Sequence, residues 1–102
     1  MKPTKRTRLA AAGWTTGTAA EFLALTPDEA AFVEVKVALS LALRRWRTRQ
    51  HLTQGDVARR LSSSQSRVAK MESADPSVSI DLLLRSLLRL GATRKAIARA
   101  IA

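Results

Sequence analysis

The sequence of 102 residues carries a net charge of +10, so it is long enough for one compact domain with a tail and favours a polyanionic partner, either nucleic acid or an anionic membrane surface. Because it contains no cysteine, disulfides and thiolate metal sites are excluded, and a reducing, cytoplasmic compartment is expected. The N-terminus lacks the apolar stretch of a signal peptide, and no segment approaches the roughly 20 apolar residues of a membrane-spanning helix, so a soluble protein is expected.

Residues 1–20 predict a flexible basic arm, because they are rich in Thr, Ala and Gly and show no sustained hydrophobic periodicity. Trp14 in this arm is interpreted either as a weak surface contact or as an anchor for a partner. Residues 21–102 are expected to form the folded domain. Its charge is polarised, since residues 21–43 are net acidic and residues 44–102 hold thirteen Lys or Arg against four acids.

A long first helix is predicted from Pro27 to about Gln50. Thr26 supplies its N-cap, and Glu29 completes a capping box. At helical spacing, one face contains Phe32, Val35, Leu39, Ala42, Leu43 and Trp46, and a stripe roughly opposite contains Val33, Val37 and Leu41. Two interpretations remain for that stripe: the domain itself buries it, or it binds a partner.

Two short helices follow the first one, Gln54–Leu61 and Gln65 to about Glu72, with Thr53 and Ser64 as their N-caps. Apolar residues recur at helical spacing in both, and the inward-facing set is Val57, Ala58, Leu61, Val68 and Met71.

Two further helices are predicted near the C-terminus. Ser79 begins the first, which ends at Gly91 in a left-handed cap, and Thr93 caps the second. The inward face of the first is formed by Ile80, Leu83, Leu84, Leu87 and Leu90. Leu82 falls outside that face and is expected to be an exposed contact. No segment alternates with period two, so an all-α, five-helix bundle is predicted.

Two short capped helices joined by a serine-rich turn are typical of a helix-turn-helix, here residues 53–72, whose second helix enters the major groove of DNA. If Val68 and Met71 face inward, then Ser66, Ala69 and Lys70 project away, with Gln65 at the N-terminal lip. Small side chains permit close approach to base edges, and Gln and Lys supply amide and ammonium groups for purines and phosphates. We therefore predict that this helix contacts duplex DNA.

The signature "LTQ", then "VA" and "L" at positions 57, 58 and 61, a turn, and "SQSRVAKME" resembles the helix-turn-helix domains of the phage-repressor and XRE superfamily. The resemblance covers residues 43–91. The wider run, with "FLALTPDEAAFVEVKVALSLALRR" before the motif and "DPSVSIDLLLRSLLRLGA" after it, is similar to HigA-type antitoxins of toxin–antitoxin pairs and covers about residues 20–92.

The resemblance implies residue roles, position by position. Base contacts fall on Gln65, Ser66 and Lys70. Contacts to the phosphate backbone fall on Gln54, Ser64 and Arg67, and the local charge adds Arg59 and Arg60 to these. Arg47 and Glu72 occupy the positions of the family's buried ion pair. Ser62 departs from the pattern, because the family usually has Gly at that left-handed turn position.

The resemblance also implies partners. These are double-stranded operator DNA, a second copy of the chain, and a RelE/HigB-like mRNA-cleaving toxin that the antitoxin neutralises while repressing its own operon. The dimer surface is expected at Leu82, Ile97 and Ile101. The toxin surface is expected in the acidic and apolar segment 21–37, whose apolar residues are Phe22, Leu23, Leu25, Val33 and Val37. Leu41, with Val33 and Val37, belongs to the stripe of the first helix that is the other candidate for partner binding.

Catalysis, cofactors and a metal site are not expected. His51 stands alone without neighbouring ligands, and no phosphate-binding glycine loop, nucleophile elbow or pair of acids is present. One alternative to the antitoxin is a stand-alone XRE-type regulator without a toxin. Another is a protein-interaction module that no longer binds DNA.

Overall fold

The computed structural model describes residues 25–102. In this part of the chain there are five helices and no strands: α1 (Pro27–Arg49), α2 (Gln54–Arg60), α3 (Gln65–Glu72), α4 (Ile80–Arg89) and α5 (Arg94–Ile101). The all-α prediction is confirmed. The expected arm, with Trp14, and the expected partner residues Phe22 and Leu23 lie outside the described residues. None of the five helices is long and apolar enough to cross a membrane.

The chain divides into two units at residue 35, so residues 25–35 are the described part of the first unit and residues 36–102 form the second. Helix α1 begins in the first unit and continues in the second. In the first unit, Thr26 caps α1 as predicted: its hydroxyl accepts a hydrogen bond from the Glu29 N–H at 3.3 Å, and the Glu29 carboxylate accepts one from the Thr26 N–H at 2.9 Å. Ala30 is buried, whereas Phe32 is 57% exposed although its spacing places it in line with Leu39.

The second unit has a core to which all five helices contribute side chains. The buried apolar residues are Leu39, Leu43, Val57, Ala58, Val68, Met71, Val78, Leu83, Leu87, Leu90 and Ile97. The inward faces predicted for the short helices and for α4 are therefore largely correct. Ile97 needs correction as a dimer contact, because its side chain fills the core. Leu82 is half-buried rather than exposed, and the exposed apolar side chain of α4 is Leu88.

Helices α2 to α5, which all begin in the second unit, each have a Ser or Thr side chain as the N-cap. The side chains of Thr53, Ser64, Ser79 and Thr93 each accept a hydrogen bond from the backbone N–H three residues later, as predicted. In α2 the cap is reciprocal, because the Asp56 carboxylate accepts a hydrogen bond from the Thr53 N–H at 2.8 Å. These caps fix where each helix begins, and so fix the short turns between them.

Helices α1 to α4 end with the same backbone motif. A residue with positive φ follows each helix: His51 (59°), Ser62 (53°), Ala74 (55°) and Gly91 (103°). The N–H of the next residue returns to the carbonyl five positions earlier, as in the bond from the Ser63 N–H to the Ala58 oxygen at 2.8 Å. Only one of these positions holds the glycine that a left-handed conformation favours.

Candidate nucleic-acid interface

Helices α2 and α3 pack against each other as a helix-turn-helix. Val57 and Ala58 of α2 and Val68 and Met71 of α3 are all buried, so the two helices share one apolar contact. Between them, Ser62 takes the left-handed conformation that the turn requires. The Ser64 hydroxyl then accepts the Arg67 N–H at 3.1 Å and starts α3. The serine-rich run is therefore the turn and the cap of the second helix.

The outward face of α3 is polar and exposed. Its exposed residues are Gln65, Ser66, Arg67 and Lys70, and Ala69 between them is half-buried. The structure thus brings the three predicted base-contacting residues together on one face. Because only small side chains separate the amide of Gln65 from the ammonium of Lys70, this face can lie close against base edges.

Arg47 of α1 holds the C-terminal end of α3 through Glu72. The guanidinium donates from Nε to Glu72 Oε2 at 2.5 Å and from Nη2 to Oε1 at 3.0 Å, and the two side chains are only 15% and 5% exposed. A third donor, Nη1, reaches the Leu52 carbonyl at 2.9 Å. The hydrogen bond to Glu72 raises the pKa of Arg47. The ion pair implied by the resemblance is present, and it fixes α3 relative to α1.

Gln54 extends this network towards the outward face of α3. Its Nε2 donates to Glu72 Oε1 at 3.1 Å, and its Oε1 accepts from Gln65 Nε2 at 3.2 Å. Both ends of the Gln54 amide are therefore engaged, although a phosphate contact was expected for this residue. Gln54 is the first residue of α2 and Glu72 is the last residue of α3. These positions alone do not show that the Gln54 amide hydrogen-bonds to Glu72.

Arg59 and Arg60 of α2 and Arg67 of α3 are the basic residues predicted to contact phosphates, and all three are exposed. Arg59 forms an ion pair with Asp56 on the same helix. Two hydrogen bonds from Thr53 lower the pKa of Asp56: the one from its N–H has the larger effect and the one from its hydroxyl the smaller. Within residues 25–102, Arg60 and Arg67 form no ion pair and are exposed. Among the residues predicted to contact phosphates, these two arginines are therefore the best candidates, because no ion pair holds their side chains.

Lys70 lies near an acid of the turn after α3. Hydrogen bonds from the Ser77 hydroxyl and N–H lower the pKa of Asp75, and the charges of Lys70 and Lys36 act in the same direction. The ammonium of Lys70 is therefore close enough to Asp75 to favour the charged form of that carboxylate. In the described part of the chain, no cluster of three or more His, Asp or Glu side chains has the arrangement of a metal site.

The protein-family comparison matches a helix-turn-helix domain over residues 22–95. The chain therefore belongs to this family of helix-turn-helix domains, and by that membership it is a DNA-binding regulator. Comparison with curated proteins and with solved structures gave no match.

Proposed function

We propose that the protein binds operator DNA in a sequence-specific way, with α3 as the helix that enters the major groove. The observation that carries this proposal is the exposed face formed by Gln65, Ser66 and Lys70, backed by buried Val68 and Met71. Gln65 contacts an adenine, whose N6 and N7 match an amide as donor and acceptor. Arg60 and Arg67, which are exposed and form no ion pair within residues 25–102, neutralise phosphates of the DNA backbone.

A second copy of the chain completes the operator complex. A single module covers too little DNA for high affinity, so such domains bind half-sites about one helical turn apart as dimers. With Ile97 in the core, the apolar side chains left for the dimer surface are Leu88 (49% exposed) and Ile101 (39% exposed). Leu82, which is half-buried, lies at most at the edge of that contact.

The direct test measures binding to duplexes enriched from a random library by the full-length chain. We expect one enriched site, with affinity that falls as salt rises. Arg67→Ala reduces the slope of log affinity against log salt by about 1 for all duplexes alike. Arg85→Ala is the control, since Arg85 is also exposed but pairs with Asp81 on α4. Equal affinity for the enriched and random duplexes would refute the proposal.

We further propose that the protein is the antitoxin of a two-component pair, repressing its own operon and neutralising a RelE/HigB-like toxin by binding rather than by catalysis. The similarity of residues 20–92 to HigA-type antitoxins supports this. A second support is the start of α1, where the exposed Phe32 accompanies the exposed carboxylates of Asp28 and Glu29. That combination suits a partner with a basic and apolar surface, and does not suit DNA.

Co-expression with a basic protein encoded next to this chain, followed by co-purification, tests the antitoxin proposal. Phe32→Lys places a like charge against a basic partner, so it abolishes co-purification while operator binding persists. Leu88→Lys places the same charge on the proposed dimer surface instead, so it weakens operator binding and leaves the partner bound. Val37→Glu tests the half-buried stripe of α1: if that variant unfolds, the stripe is core. Should no neighbouring protein co-purify, a stand-alone regulator remains.

A further inference from the structure

The carboxylate of Glu72 serves two different parts of the helix-turn-helix. It accepts two hydrogen bonds from Arg47, which tie α3 to α1, and a third from Gln54 Nε2 at 3.1 Å. Gln54 in turn contacts Gln65, the first residue of α3, through its Oε1 at 3.2 Å. A chain of hydrogen bonds therefore connects a nearly buried carboxylate with an exposed side chain on the proposed DNA face.

The direction of every bond in this chain follows from Glu72. An ionised carboxylate has no proton to donate, so Gln54 must present its NH2 group to Glu72. The Gln54 amide is then fixed with Oε1 towards Gln65. Because a carbonyl oxygen only accepts, Gln65 must donate one of its amide hydrogens to it. The charge at position 72 thus sets the orientation of the amide at position 65.

That orientation decides what Gln65 offers to a base pair. With one N–H engaged by Gln54, Gln65 retains its Oε1 acceptor and its second N–H donor, which together match N6 and N7 of adenine. In the opposite orientation, Oε1 would be engaged and two N–H donors would remain. Two donors match O6 and N7 of guanine, which are both acceptors.

We propose that Glu72 is a positioning residue for base recognition: through Gln54 it orients Gln65 to favour adenine over guanine at one operator position. This inference rests on the proposed DNA binding by α3. Glu72 then contributes to base specificity in addition to its ion pair with Arg47. Gln54 links Glu72 to Gln65 by hydrogen bonds and is not a phosphate contact.

Two variants separate orientation from stability. Gln54→Lys keeps the Glu72 carboxylate and its ion pair, and the new ammonium donates both to Glu72 and to Gln65 Oε1, which reverses the Gln65 amide. Glu72→Gln replaces the carboxylate by an amide that can donate to Gln54, so either orientation becomes possible. Asp81→Asn is the control for loss of one carboxylate, since Asp81 is exposed on α4.

The experiment enriches duplexes from a random library with each full-length protein and compares the bases selected at every position. Gln65→Ala first identifies the position that Gln65 contacts, as the one where discrimination disappears. At that position we expect roughly tenfold preference for adenine in the parent protein, a change to guanine for Gln54→Lys, and loss of the preference for Glu72→Gln. The other positions stay unchanged, and Asp81→Asn selects the parent site.

The outcomes distinguish this inference from the proposed function. If the parent protein enriches no site, DNA recognition itself is refuted. If the parent enriches a site and Gln54→Lys still selects adenine at the Gln65 position, DNA recognition stands and the role of Glu72 is overturned. If the parent enriches a site and Gln65→Ala alters no position, both the base contact proposed for Gln65 and the role of Glu72 are overturned. A uniform loss of affinity for Gln54→Lys, with base preferences intact, also overturns the role of Glu72.

Discussion

Arg47 near the C-terminus of α1 and Glu72 at the last position of α3 form an ion pair with two hydrogen bonds, although 25 residues separate them. Glu72 is only 5% exposed, so its charge is compensated by Arg47 instead of by water. This one contact joins the long helix to the helix that we propose enters the major groove.

Removal of Arg47 alone should therefore destabilise the folded protein. Arg47→Met leaves a buried carboxylate without its ionic partner, and we expect it to reduce the free energy of unfolding by about 3 kcal/mol or more. The double variant Arg47→Met, Glu72→Met restores an apolar pair and recovers much of that loss. Urea denaturation followed by circular dichroism measures both. Arg85→Met, which removes an exposed ion pair with Asp81, changes stability by less than about 1 kcal/mol. If Arg47→Met were no worse than Arg85→Met, the ion pair would not secure α3.

Ala74→Gly should stabilise the protein. Ala74 follows α3 with φ of 55°, a left-handed conformation that costs an L-residue roughly 1–2 kcal/mol. Glycine removes that cost but gains entropy in the unfolded chain, so we expect a net increase of about 0.5–1 kcal/mol. Gly91→Ala is the reverse control, since Gly91 has φ of 103°, and it should lower stability by a similar amount. Thermal unfolding of the two variants measures this, and a lower Tm for Ala74→Gly would contradict the strain argument.

Ser40→Ala should also stabilise the second unit. The Ser40 hydroxyl is buried in α1, and it has no hydrogen-bond partner within residues 25–102. An unpaired buried polar group costs about 1–3 kcal/mol, and alanine has the higher helix propensity. We therefore expect a gain of about 1 kcal/mol in urea denaturation. Ser86→Ala is the comparison, because the Ser86 hydroxyl contacts the Met71 sulfur at 3.6 Å. A larger gain for Ser86→Ala than for Ser40→Ala would show that burial without a partner is not the cause.

Acid should weaken the start of α2. Hydrogen bonds from Thr53 lower the pKa of Asp56 from its ordinary value of 3.8, so the charged form stabilises the folded state. That contribution is fully present above about pH 4 and is lost as the pH falls through the lower pKa of the folded state. The urea midpoint should decline below about pH 4, and it should decline less in Asp56→Asn, which has no charge to lose. If the urea midpoint fell equally in the parent protein and in Asp56→Asn, Asp56 would not be the cause of the acid sensitivity.

Much of the fold could be predicted from the sequence because its signals are local. Thr53, Ser64, Ser79 and Thr93 cap helices where a hydroxyl precedes a helical apolar pattern, and the structure has those caps. The period of the apolar residues placed Val68 and Met71 inward, which left Gln65, Ser66 and Lys70 outward. These inferences need only the geometry of one helix.

Other features were missed because they depend on contacts between helices. Ile97 lies on the apolar face of α5, and the sequence does not say whether that face meets the core or a second copy; the structure places it in the core. The bond between Gln54 and Glu72 depends on how α2 and α3 pack. Ala74 adopts a left-handed conformation without any local preference for it, because the α3–α4 connection requires one there.

The affinity of Gln65→Ala for the enriched duplex, relative to random duplex, tests the central claim most directly. We expect the variant to lose about 1–3 kcal/mol of affinity for the enriched duplex, to keep its affinity for random duplex, and to retain its helical content. Unchanged discrimination between the two duplexes by a folded Gln65→Ala protein would contradict the claim that this face of α3 recognises DNA.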